Sequence, residues 1–410
     1  MIDLKMAKLT FKDLEFKKIG NSIRTYFLKN FFFDFSAEEL EKIGKFKIQK
    51  NALEFEGSAV RIKRQFDFLL EQKLQQLKNL QGKNAIYIYE GLIPLIGSLY
   101  FGILDRNTNV VEVRPITGCN LNCVFCSVDL SKRERDFVVS VDYLIKEFRK
   151  IVQLKLQQVD KIEAHINAQG EPLLYGPIIE LIEGLAKTKG VSTVSLDTNG
   201  CLLSESLIDK LVEAGVTRFN ISLNAIEQET ANKIAARPFP MQHVLNMCCY
   251  IVKKSDLLLA PVWLHGINDL EIEKIIQLAL ELKKERPQQE TPFIGIQNFL
   301  EYEHGKKPVK QQSWEKFYSW LSKLEQKYNL KLRLSREDFG IKKAVTLAKP
   351  FKKGQTASAK IVCQGKFTHE MLAASQDRII AIPSCAEKIG KNVKVKITRD
   401  KYNIFYGKEV

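Results

Sequence analysis

The strongest constraint on the fold is a regular alternation of two kinds of segment between residues 110 and 298. Short apolar or β-branched runs occupy 110–113, 161–167, 191–197, 217–223, 257–264 and 292–298. Amphipathic helical patterns occupy 140–156, 177–187, 205–214, 241–253 and 270–284, and another follows at 313–327. Strands joined by crossover helices form parallel sheets. The sequence therefore predicts an α/β core of six parallel strands, with ligands at the carboxyl ends of the strands.

Three cysteines follow the first apolar run. Cys119, Cys123 and Cys126 have the spacing C-x3-C-x2-C. A structural zinc site uses four ligands in paired spacings, and the cysteines at 201, 248, 249, 363 and 385 form no second C-x2-C pair. The cysteine loop is therefore better suited to a [4Fe–4S] cluster in which three irons have protein thiolates and the fourth is open.

This loop resembles the cluster-binding loop of radical S-adenosylmethionine (SAM) enzymes. The resemblance implies that SAM chelates the open iron and is cleaved by one electron to give a 5′-deoxyadenosyl radical. It implies that Cys119, Cys123 and Cys126 hold the cluster, and that Phe125 lies next to the adenine. It also identifies the α/β core as a (β/α)6 partial TIM barrel over residues 109–345.

Polar segments after the later strands resemble the SAM-binding segments of the same family. The segment at 169–172 is similar to its GGEP element, 197–200 to TNG, 220–225 to SLDA and 265–269 to GVND. By this resemblance, the residues expected to contact SAM are Gly170, Glu171, Pro172, Thr198, Asn199, Ser222, Asn224 and Asn268. Glu171 would accept hydrogen bonds from the SAM amino group, and Asp269 would only cap the following helix.

Residues 351–410 have the pattern of a small all-β barrel. Short strands alternate with turns, and in 390–399 valines and an isoleucine alternate with basic residues, which predicts one buried and one cationic face. The segment resembles a TRAM domain, a β-barrel found in RNA-modifying enzymes, including radical SAM tRNA methylthiotransferases. A basic edge strand that only protects against aggregation would give a similar pattern.

The charge of the chain favours a polyanionic partner. The 63 Lys and Arg residues outnumber the 48 Asp and Glu residues, giving a net charge of +15. Residues 351–410 contain 12 basic and 5 acidic residues, or +7. Concentrated positive charge attracts nucleic acid, and with the TRAM resemblance it favours RNA, above all tRNA.

Residues 1–108 are predicted to form an N-terminal α+β domain of unassigned role. Its predicted elements are a helix over 65–80 and strands over 85–90 and 99–104. Methylthiotransferases bind a second cluster through three cysteines in their N-terminal domain, whereas residues 1–118 contain no cysteine. A methylthiotransferase of the usual kind is therefore disfavoured.

Cellular location is predicted from what the chain lacks. The segment 1–10 has no apolar signal-peptide core, and no stretch approaches the length of about 18 apolar residues needed to span a bilayer. Cluster thiolates need a reducing compartment. The sequence therefore predicts a cytoplasmic protein without membrane association, reduced by an electron donor such as a flavodoxin or ferredoxin.

Three functions remain open from the sequence. The first is a radical SAM enzyme that modifies RNA by methylation or another C–H functionalisation, for which Cys363 could carry a methyl group but is better explained as a buried structural thiol. The second is a radical SAM enzyme acting on a nucleotide-derived small molecule or a peptide, with the C-terminal barrel as a docking module. The third is an RNA-binding protein with a vestigial cluster.

Overall fold

A parallel sheet lies at the centre of the fold. The computed structural model describes residues 6–91 and 93–410. Its strands are β1 (Met6–Thr10), β2 (Leu14–Ile19), β3 (Ser22–Phe27), β4 (Phe31–Ser36), β5 (Phe46–Gln49), β6 (Ala52–Glu56), β7 (Lys78–Asn79), β8 (Asn84–Ile88), β9 (Gly102–Asp105), β10 (Val110–Arg114), β11 (Arg135–Val139), β12 (Ile162–Ile166), β13 (Val191–Thr198), β14 (Arg218–Ile221), β15 (Asp256–Leu259), β16 (Val262–Trp263), β17 (Gln297–Asn298), β18 (Thr356–Gln364), β19 (Met371–Ser375), β20 (Arg378–Ile382), β21 (Asn392–Arg399) and β22 (Phe405–Glu409). Its α-helices are α1 (Ala37–Glu41), α2 (Ala59–Leu74), α3 (Val141–Lys155), α4 (Ile178–Ala186), α5 (Glu205–Ala214), α6 (Gln228–Ala235), α7 (Met241–Ile251), α8 (Asp269–Glu285) and α9 (Trp314–Tyr328).

The main sheet has the strand order β15-β14-β13-β12-β10-β9. The first five of these strands are parallel to their neighbours, and β9 is antiparallel to β10. The sixth expected strand is short: it consists of a parallel bridge from Leu259 to Ile294 and the pairing of β16 with β17. Pro261, which has no N–H to donate, lies between β15 and β16. The predicted parallel α/β core is confirmed.

The crossover helices lie where the apolar spacing places them. The bounds of α5 coincide with the predicted 205–214, and α3 differs from the predicted 140–156 by one residue at each end. The face of α3 formed by Leu144, Phe148, Ile151 and Val152 is buried, as the spacing predicts. The short helix α6 was not predicted from the sequence. It belongs to the cofactor region described below.

The N-terminal segment forms two sheets around an aromatic core. One has the order β1-β6-β5, and the other, called here the N-terminal sheet, has the order β11-β8-β7-β4-β3-β2. Phe35, Phe55 and Phe66 pack together between these sheets and α2, with ring centroids 5.7 and 6.4 Å apart. The prediction of a helix over 65–80 was wrong in its bounds, because the chain after α2 turns into β7 and pairs with β4. The strand β11, from beyond residue 109, joins this sheet through β8.

The C-terminal segment forms a closed barrel of β18-β19-β20-β22-β21. Exposed and buried residues alternate along β18 and β21, so that one face of each strand packs inward. Ile361, Val395, Ile397 and Phe405 are among the buried residues of its interior. The predicted small all-β barrel is therefore confirmed.

The C-terminal barrel is hydrogen-bonded to Ile96 and Gly97, in the segment before β9. The amide of Ile379 donates to the Ile96 carbonyl at 2.8 Å, and the amide of Phe405 donates to the Gly97 carbonyl at 3.0 Å. A Cβ atom at Gly97 would lie 2.2 Å from the Ile379 carbonyl oxygen, so only glycine permits this approach. The barrel is thereby fixed against the main sheet.

Among the described residues, no helix combines the length and the apolar character that crossing a bilayer requires. The segment 1–10, in which the sequence predicts no signal peptide, begins before the structure does. Its residues 1–5 lie outside the described residues.

Candidate cofactor-binding site

The cysteine loop connects two sheets. It leaves the main sheet after β10 and enters the N-terminal sheet at β11. Its base is closed by two backbone hydrogen bonds, from the Thr117 amide to the Phe137 carbonyl at 3.0 Å and from the Val139 amide to the Pro115 carbonyl at 2.9 Å. The buried Asp136 also accepts a hydrogen bond from the Thr117 hydroxyl at 2.9 Å. Both ends of the loop are therefore held in place.

The three predicted ligand cysteines line one cavity of about 520 Å³, called here the cofactor cavity. Cys119, Cys123 and Cys126 are free, half-buried thiols. Burial raises the pKa of Cys119 to about 12 and the pKa of Cys123 above its ordinary range. Such thiols keep their protons at neutral pH until a metal displaces them. Three soft donors around one cavity fit an iron–sulfur cluster.

The predicted GGEP-like segment packs directly on the cysteine loop. The Glu171 amide donates to the Gly118 carbonyl at 2.7 Å. A Cβ atom at Gly170 would lie 2.1 Å from the same carbonyl oxygen, which explains why a glycine stands here. Pro172 is buried and begins a short 3₁₀ turn. This contact places Gly170 and Glu171 beside Cys119.

Glu171 joins the GGEP-like segment to the TNG-like segment. Its carboxylate accepts hydrogen bonds from the Thr198 hydroxyl at 2.7 Å and from the Asn199 amide at 2.8 Å. The Asn199 side chain in turn donates to Asn120 of the cysteine loop at 2.8 Å. Burial raises the pKa of Glu171 to about 7, against the opposing effect of these hydrogen bonds. A cationic ligand would favour the ionised carboxylate.

Most of the residues predicted to bind the cofactors meet at this cavity. Its lining includes Cys119, Cys123, Phe125, Cys126, Gly170, Glu171, Pro172, Thr198, Asn199 and Ser222. Asn224 lines a small adjoining pocket together with Ser222. Asn268 lies behind the cavity, where its side chain donates to the carbonyls of Asn224 and Val262 at 3.0 Å each. Direct contacts of these residues with SAM stay predictions.

Asn268, rather than Asp269, occupies the N-cap position of α8. Asp269 instead accepts hydrogen bonds from the Trp263 indole at 2.9 Å and from the Gly266 amide at 2.6 Å. The expectation that Asp269 caps the helix was therefore wrong by one residue. Gly266 has a φ of 83° and lies in the turn that the Asp269 side chain closes.

A ring of polar side chains beneath the cavity was missed in the sequence. Side chains of β12, β13 and β14 are connected in the order Glu163, Ser195, His165, Asp197, Asn220 and Arg218, and Arg218 closes the ring on Glu163. The contact of His165 with Asp197 is an ion pair, and the others are hydrogen bonds. His165, Asp197 and Asn220 line the cofactor cavity. The runs were read as apolar, although Glu163, His165 and Asn167 alternate with apolar residues as the polar face of a strand does.

The ring fixes the protonation of His165. The Ser195 hydroxyl donates its only proton to Glu163 at 2.5 Å, so it accepts a hydrogen bond from His165 Nδ1 at 2.8 Å. His165 Nε2 lies 3.3 Å from Asp197 Oδ2, which also favours a proton there. Burial opposes the charge on His165, but the charge of Asp197 outweighs it, and the pKa of His165 is raised to about 9. His165 is therefore an imidazolium paired with Asp197 at neutral pH.

A second, larger cavity adjoins the first. This outer chamber has a volume of about 1170 Å³ and shares Ser127, Ala168, Gln169 and Tyr302 with the cofactor cavity. The C-terminal barrel supplies part of its wall, including Phe367, Thr398, Arg399, Tyr406 and Lys408. A molecule in the outer chamber would thus lie next to the cofactor cavity and against the C-terminal barrel.

Cys363 is part of neither cavity wall. It is buried on β18 among apolar residues and lines neither the cofactor cavity nor the outer chamber. Burial raises the pKa of its thiol to about 12. A role as carrier of a methyl group has no support from this placement.

Comparisons of the sequence agree with the geometry of the cysteine loop. The family model described as the radical SAM superfamily matches residues 113–279. The chain is a member of the radical SAM superfamily. An uncharacterized protein from Methanocaldococcus jannaschii is 40% identical over 348 residues, covering 78% of this chain and 80% of that protein. A GTP 3′,8-cyclase from Peptoclostridium acidaminophilum is 30% identical over 180 residues, covering 43% of this chain and 53% of the cyclase.

Solved structures similar to this radical SAM protein share little sequence with it. SuiB from Streptococcus suis, bound to the precursor peptide SuiA, is 12% identical, with a TM-score of 0.42 and coverage of 79% of this chain and 71% of that one. TYW1 with a lysine–pyruvate adduct is 19% identical, with a TM-score of 0.37 and coverage of 55% and 76%. The chain spans about half of the cyclase and most of these structures.

Radical SAM proteins use a [4Fe–4S] cluster and SAM, and the residues of the cofactor cavity fit both groups. The three thiols match in number and type the protein ligands that such a cluster needs. The buried Glu171 has no cationic partner in its hydrogen bonds, which come from Thr198, Asn199 and Leu173. A carboxylate in this state suits the ammonium group of SAM.

Replacing Glu171 with alanine should weaken SAM binding about ten- to a hundredfold, because a charge-assisted hydrogen bond contributes about 1.5–3 kcal/mol. The iron content should stay unchanged, since Glu171 is not a cluster ligand. Equilibrium binding of SAM to the reconstituted protein measures the effect. Glu183→Ala, on the exposed side of α4 and paired with Lys187 at 2.9 Å, is the matched control. Equal SAM affinity in Glu171→Ala would show that the segment is only a turn.

Proposed function

We propose that this radical SAM protein functionalises a C–H bond of RNA, with tRNA as the first candidate and methylation as one possible outcome. The observation that carries the proposal is the presence of Arg399 and Lys408 in the wall of the outer chamber, which Glu301, Glu303 and Glu409 also line. The C-terminal barrel, proposed here to be a TRAM-like RNA-binding module, supplies this wall directly beside the cofactor cavity. A nucleotide held by the barrel would reach the site where SAM is bound.

The basic residues lie in a continuous strip on the outer face of β21 and β22. Lys394, Lys396 and Thr398 alternate with buried residues along β21, and Lys408 is exposed on β22. Thr398, Arg399 and Lys408 line the outer chamber, so the strip leads into it. The order of these residues gives a path from the protein surface to the chamber wall.

The basic side chains of this strip have no carboxylate partner among the described residues, although the Arg399 guanidinium lies over the Tyr406 ring, 5.8 Å from its centroid. Lys396 stands directly opposite Lys408 in the antiparallel pair of β21 and β22. Like charges in this arrangement repel each other and destabilise the sheet. Within residues 6–91 and 93–410, none of Lys394, Lys396, Lys408 and Arg399 lies within 4.0 Å of a carboxylate. A bound phosphate would relieve this repulsion, which favours a polyanionic ligand.

In this proposal, different segments of the chain have separate roles in the reaction. When bound, the cluster and SAM supply a carbon radical able to remove hydrogen from an unactivated C–H bond. Glu171 and the Thr198–Asn199 segment would orient SAM, and Cys119, Cys123 and Cys126 would hold the cluster. The basic strip would position the phosphates of the substrate, and the C-terminal barrel forms part of the wall of the chamber that would hold it.

A one-electron donor is also part of the proposal. Radical SAM enzymes commonly use a reductant, and a flavodoxin or ferredoxin would serve here. Cluster thiolates need a reducing environment, so the cytoplasm is the proposed location. Neither role requires a membrane.

Replacing both Lys396 and Lys408 with glutamine should weaken tRNA binding and flatten its salt dependence. Each phosphate contact contributes about 0.7–0.9 to the slope of log affinity against log salt, so losing two contacts lowers the slope by about 1.5. Binding is measured by filter retention or fluorescence anisotropy between low and physiological salt. Lys17→Gln with Lys18→Gln removes the same charge from the exposed β2 and should leave the slope unchanged. Equal losses in both double variants would contradict a role for the strip.

The chemistry itself is tested by mass spectrometry of tRNA nucleosides from cells with and without the gene. Loss of one modified nucleoside would identify the product. An unchanged nucleoside profile together with absent tRNA binding would contradict the RNA proposal. Uncoupled cleavage of SAM by the purified protein should occur in either case.

A nucleotide-derived small molecule is the second candidate substrate. Several curated relatives that match this chain are GTP 3′,8-cyclases, at 26–31% identity over 180–186 residues. The outer chamber, at about 1170 Å³, exceeds the usual range of small-ligand pockets, about 300–1,000 Å³. Saturable binding of GTP that is lost in Arg399→Gln, without tRNA binding, would favour this candidate. A peptide substrate would bind neither probe.

A further inference from the structure

A short segment before α9 lies across the cysteine loop from outside. This strap consists of His304, Gly305 and Lys306. The Asp129 amide donates to the His304 carbonyl at 2.8 Å, and the Lys306 amide donates to the Cys126 carbonyl at 3.4 Å. A Cβ atom at position 305 would lie 2.9 Å from the Cys126 carbonyl oxygen, so Gly305 permits the approach. The strap therefore follows the backbone at the third cluster cysteine.

The Lys306 side chain makes the most specific contact of the strap. Its Nζ donates to the backbone carbonyl and to the side-chain oxygen of Asn122, each at 2.7 Å. Asn122 immediately precedes Cys123. Lys306 is half-buried, and within the described part of the chain no carboxylate lies within 4.0 Å of it. Its ammonium group therefore contacts the cysteine loop without a direct ion pair, and Asp129 is a carboxylate with which it interacts at longer range.

The neighbouring Lys307 differs in both respects. Its side chain is exposed and lies 3.9 Å from Glu301. It makes no hydrogen bond with the cysteine loop among those of the described residues. The chain thus offers two adjacent lysines of the same charge, of which one contacts the loop.

The opposite side of the loop is held by α6 and the residues after it. The Asn122 amide donates to the Ala235 carbonyl at 3.1 Å, and the Val124 amide donates to the Ile234 carbonyl at 2.9 Å. Arg237 donates to the Asn120 carbonyl at 3.0 Å. The cysteine loop is therefore held between α6 and the strap, and several cations contact it, among them Arg133 at the Thr117 carbonyl, Arg237 at the Asn120 carbonyl and Lys306 at Asn122.

We propose that Lys306 is a positioning residue for the cluster: it holds the backbone at Cys123 and places a positive charge beside the cluster site. Three thiolates give a [4Fe–4S] cluster a net negative charge, and reduction adds one more. A nearby cation stabilises the reduced state more than the oxidised state, because the attraction grows with the charge. This role concerns the cofactor shared by radical SAM proteins and is independent of the substrate proposed above.

The test compares Lys306→Met with Lys307→Met in the reconstituted protein. Lys306→Met should have a more negative midpoint potential for the cluster, measured by redox titration with electron paramagnetic resonance. It should also lose iron to a chelator severalfold faster than the unaltered protein. Lys307→Met removes the same charge one residue away and should match the unaltered protein in both measurements. Identical potentials and identical rates of iron loss in the two variants would overturn the proposal.

Two further variants separate charge from geometry and keep the test available if Lys306→Met does not fold. Lys306→Arg keeps the charge, so the midpoint potential should stay near that of the unaltered protein. Asn122→Ala removes one of the two acceptors of Lys306, so iron loss should be faster while the charge remains. A more negative potential in Lys306→Arg, or unchanged iron loss in Asn122→Ala, would contradict the proposed role.

Discussion

Alanine at Cys119, Cys123 or Cys126 should abolish the cleavage of SAM to 5′-deoxyadenosine. The three thiols line one cavity and no other cysteine lines it. Losing one leaves two irons of the cluster without a protein ligand, so the reconstituted variant should hold much less iron than the expected value of about four per chain. Iron and sulfide analysis after anaerobic reconstitution, with chromatography of the SAM products, measures both effects.

The matched control is Cys249→Ala. Cys249 is exposed on α7 and contributes to neither cavity. Its variant should bind iron and cleave SAM like the unaltered protein. Stoichiometric zinc without iron in the unaltered protein would overturn the assignment of the cluster to these cysteines. Full SAM cleavage by any one of the three alanine variants would overturn the role of that cysteine.

Replacing Asp197 with asparagine should lower the pKa of His165 from about 9 to its ordinary value of about 6.5 or below. The charged groups around the ring of His165 are Glu112 on β10, Glu163 on β12 and Asp197 on β13. Burial alone favours the neutral imidazole, and Asp197 provides the largest opposing effect. Nuclear magnetic resonance titration of the ring protons of the five histidines measures the midpoint directly.

The sign of the pH dependence follows from the raised pKa. The folded protein binds the His165 proton more tightly than the unfolded chain, so the resulting stabilisation is present below about pH 6.5. It is lost as the pH rises through about 9, and it amounts to about 3 kcal/mol at most. His165→Gln should remove this loss from the pH dependence of unfolding. His243→Gln, at a half-buried histidine bonded to the Leu203 carbonyl at 2.9 Å, should not. The same His165 midpoint in Asp197→Asn and in the unaltered protein would contradict the ion pair.

The convergence of the cofactor residues could be predicted because it depends on a general property of parallel sheets. Cys119, Glu171 and Ser222 follow three different strands and Thr198 ends a fourth, and the carboxyl ends of parallel strands meet at one edge. The sequence therefore predicts which residues come together and at which edge of the sheet they lie. Their contacts could not be predicted, because Glu171 is hydrogen-bonded to Thr198 and Asn199 across distances that no local pattern encodes.

The polar ring shows where pattern reading failed. Four of its six members, Glu163, His165, Ser195 and Asp197, stand at alternate positions of β12 and β13. The runs were read by their apolar residues, and the polar residues that alternate with them were not considered. The docking of the C-terminal barrel also could not be predicted. It depends on a backbone contact between Ile96 and Ile379, two residues that lie far apart in the chain.

The position of the cysteine loop between two sheets means that no shorter catalytic fragment can be excised at residue 109. Such a fragment would keep β11 but remove β8, whose residues Asn84–Ile88 pair with Arg135–Val139. It would also remove Asn79, whose side chain donates to Asp136 at 2.7 Å. One end of the loop would then be attached to β11 without its partner strand β8, and exposed strand edges promote aggregation. The N-terminal segment thus holds one end of the cysteine loop in place through β8 and Asn79.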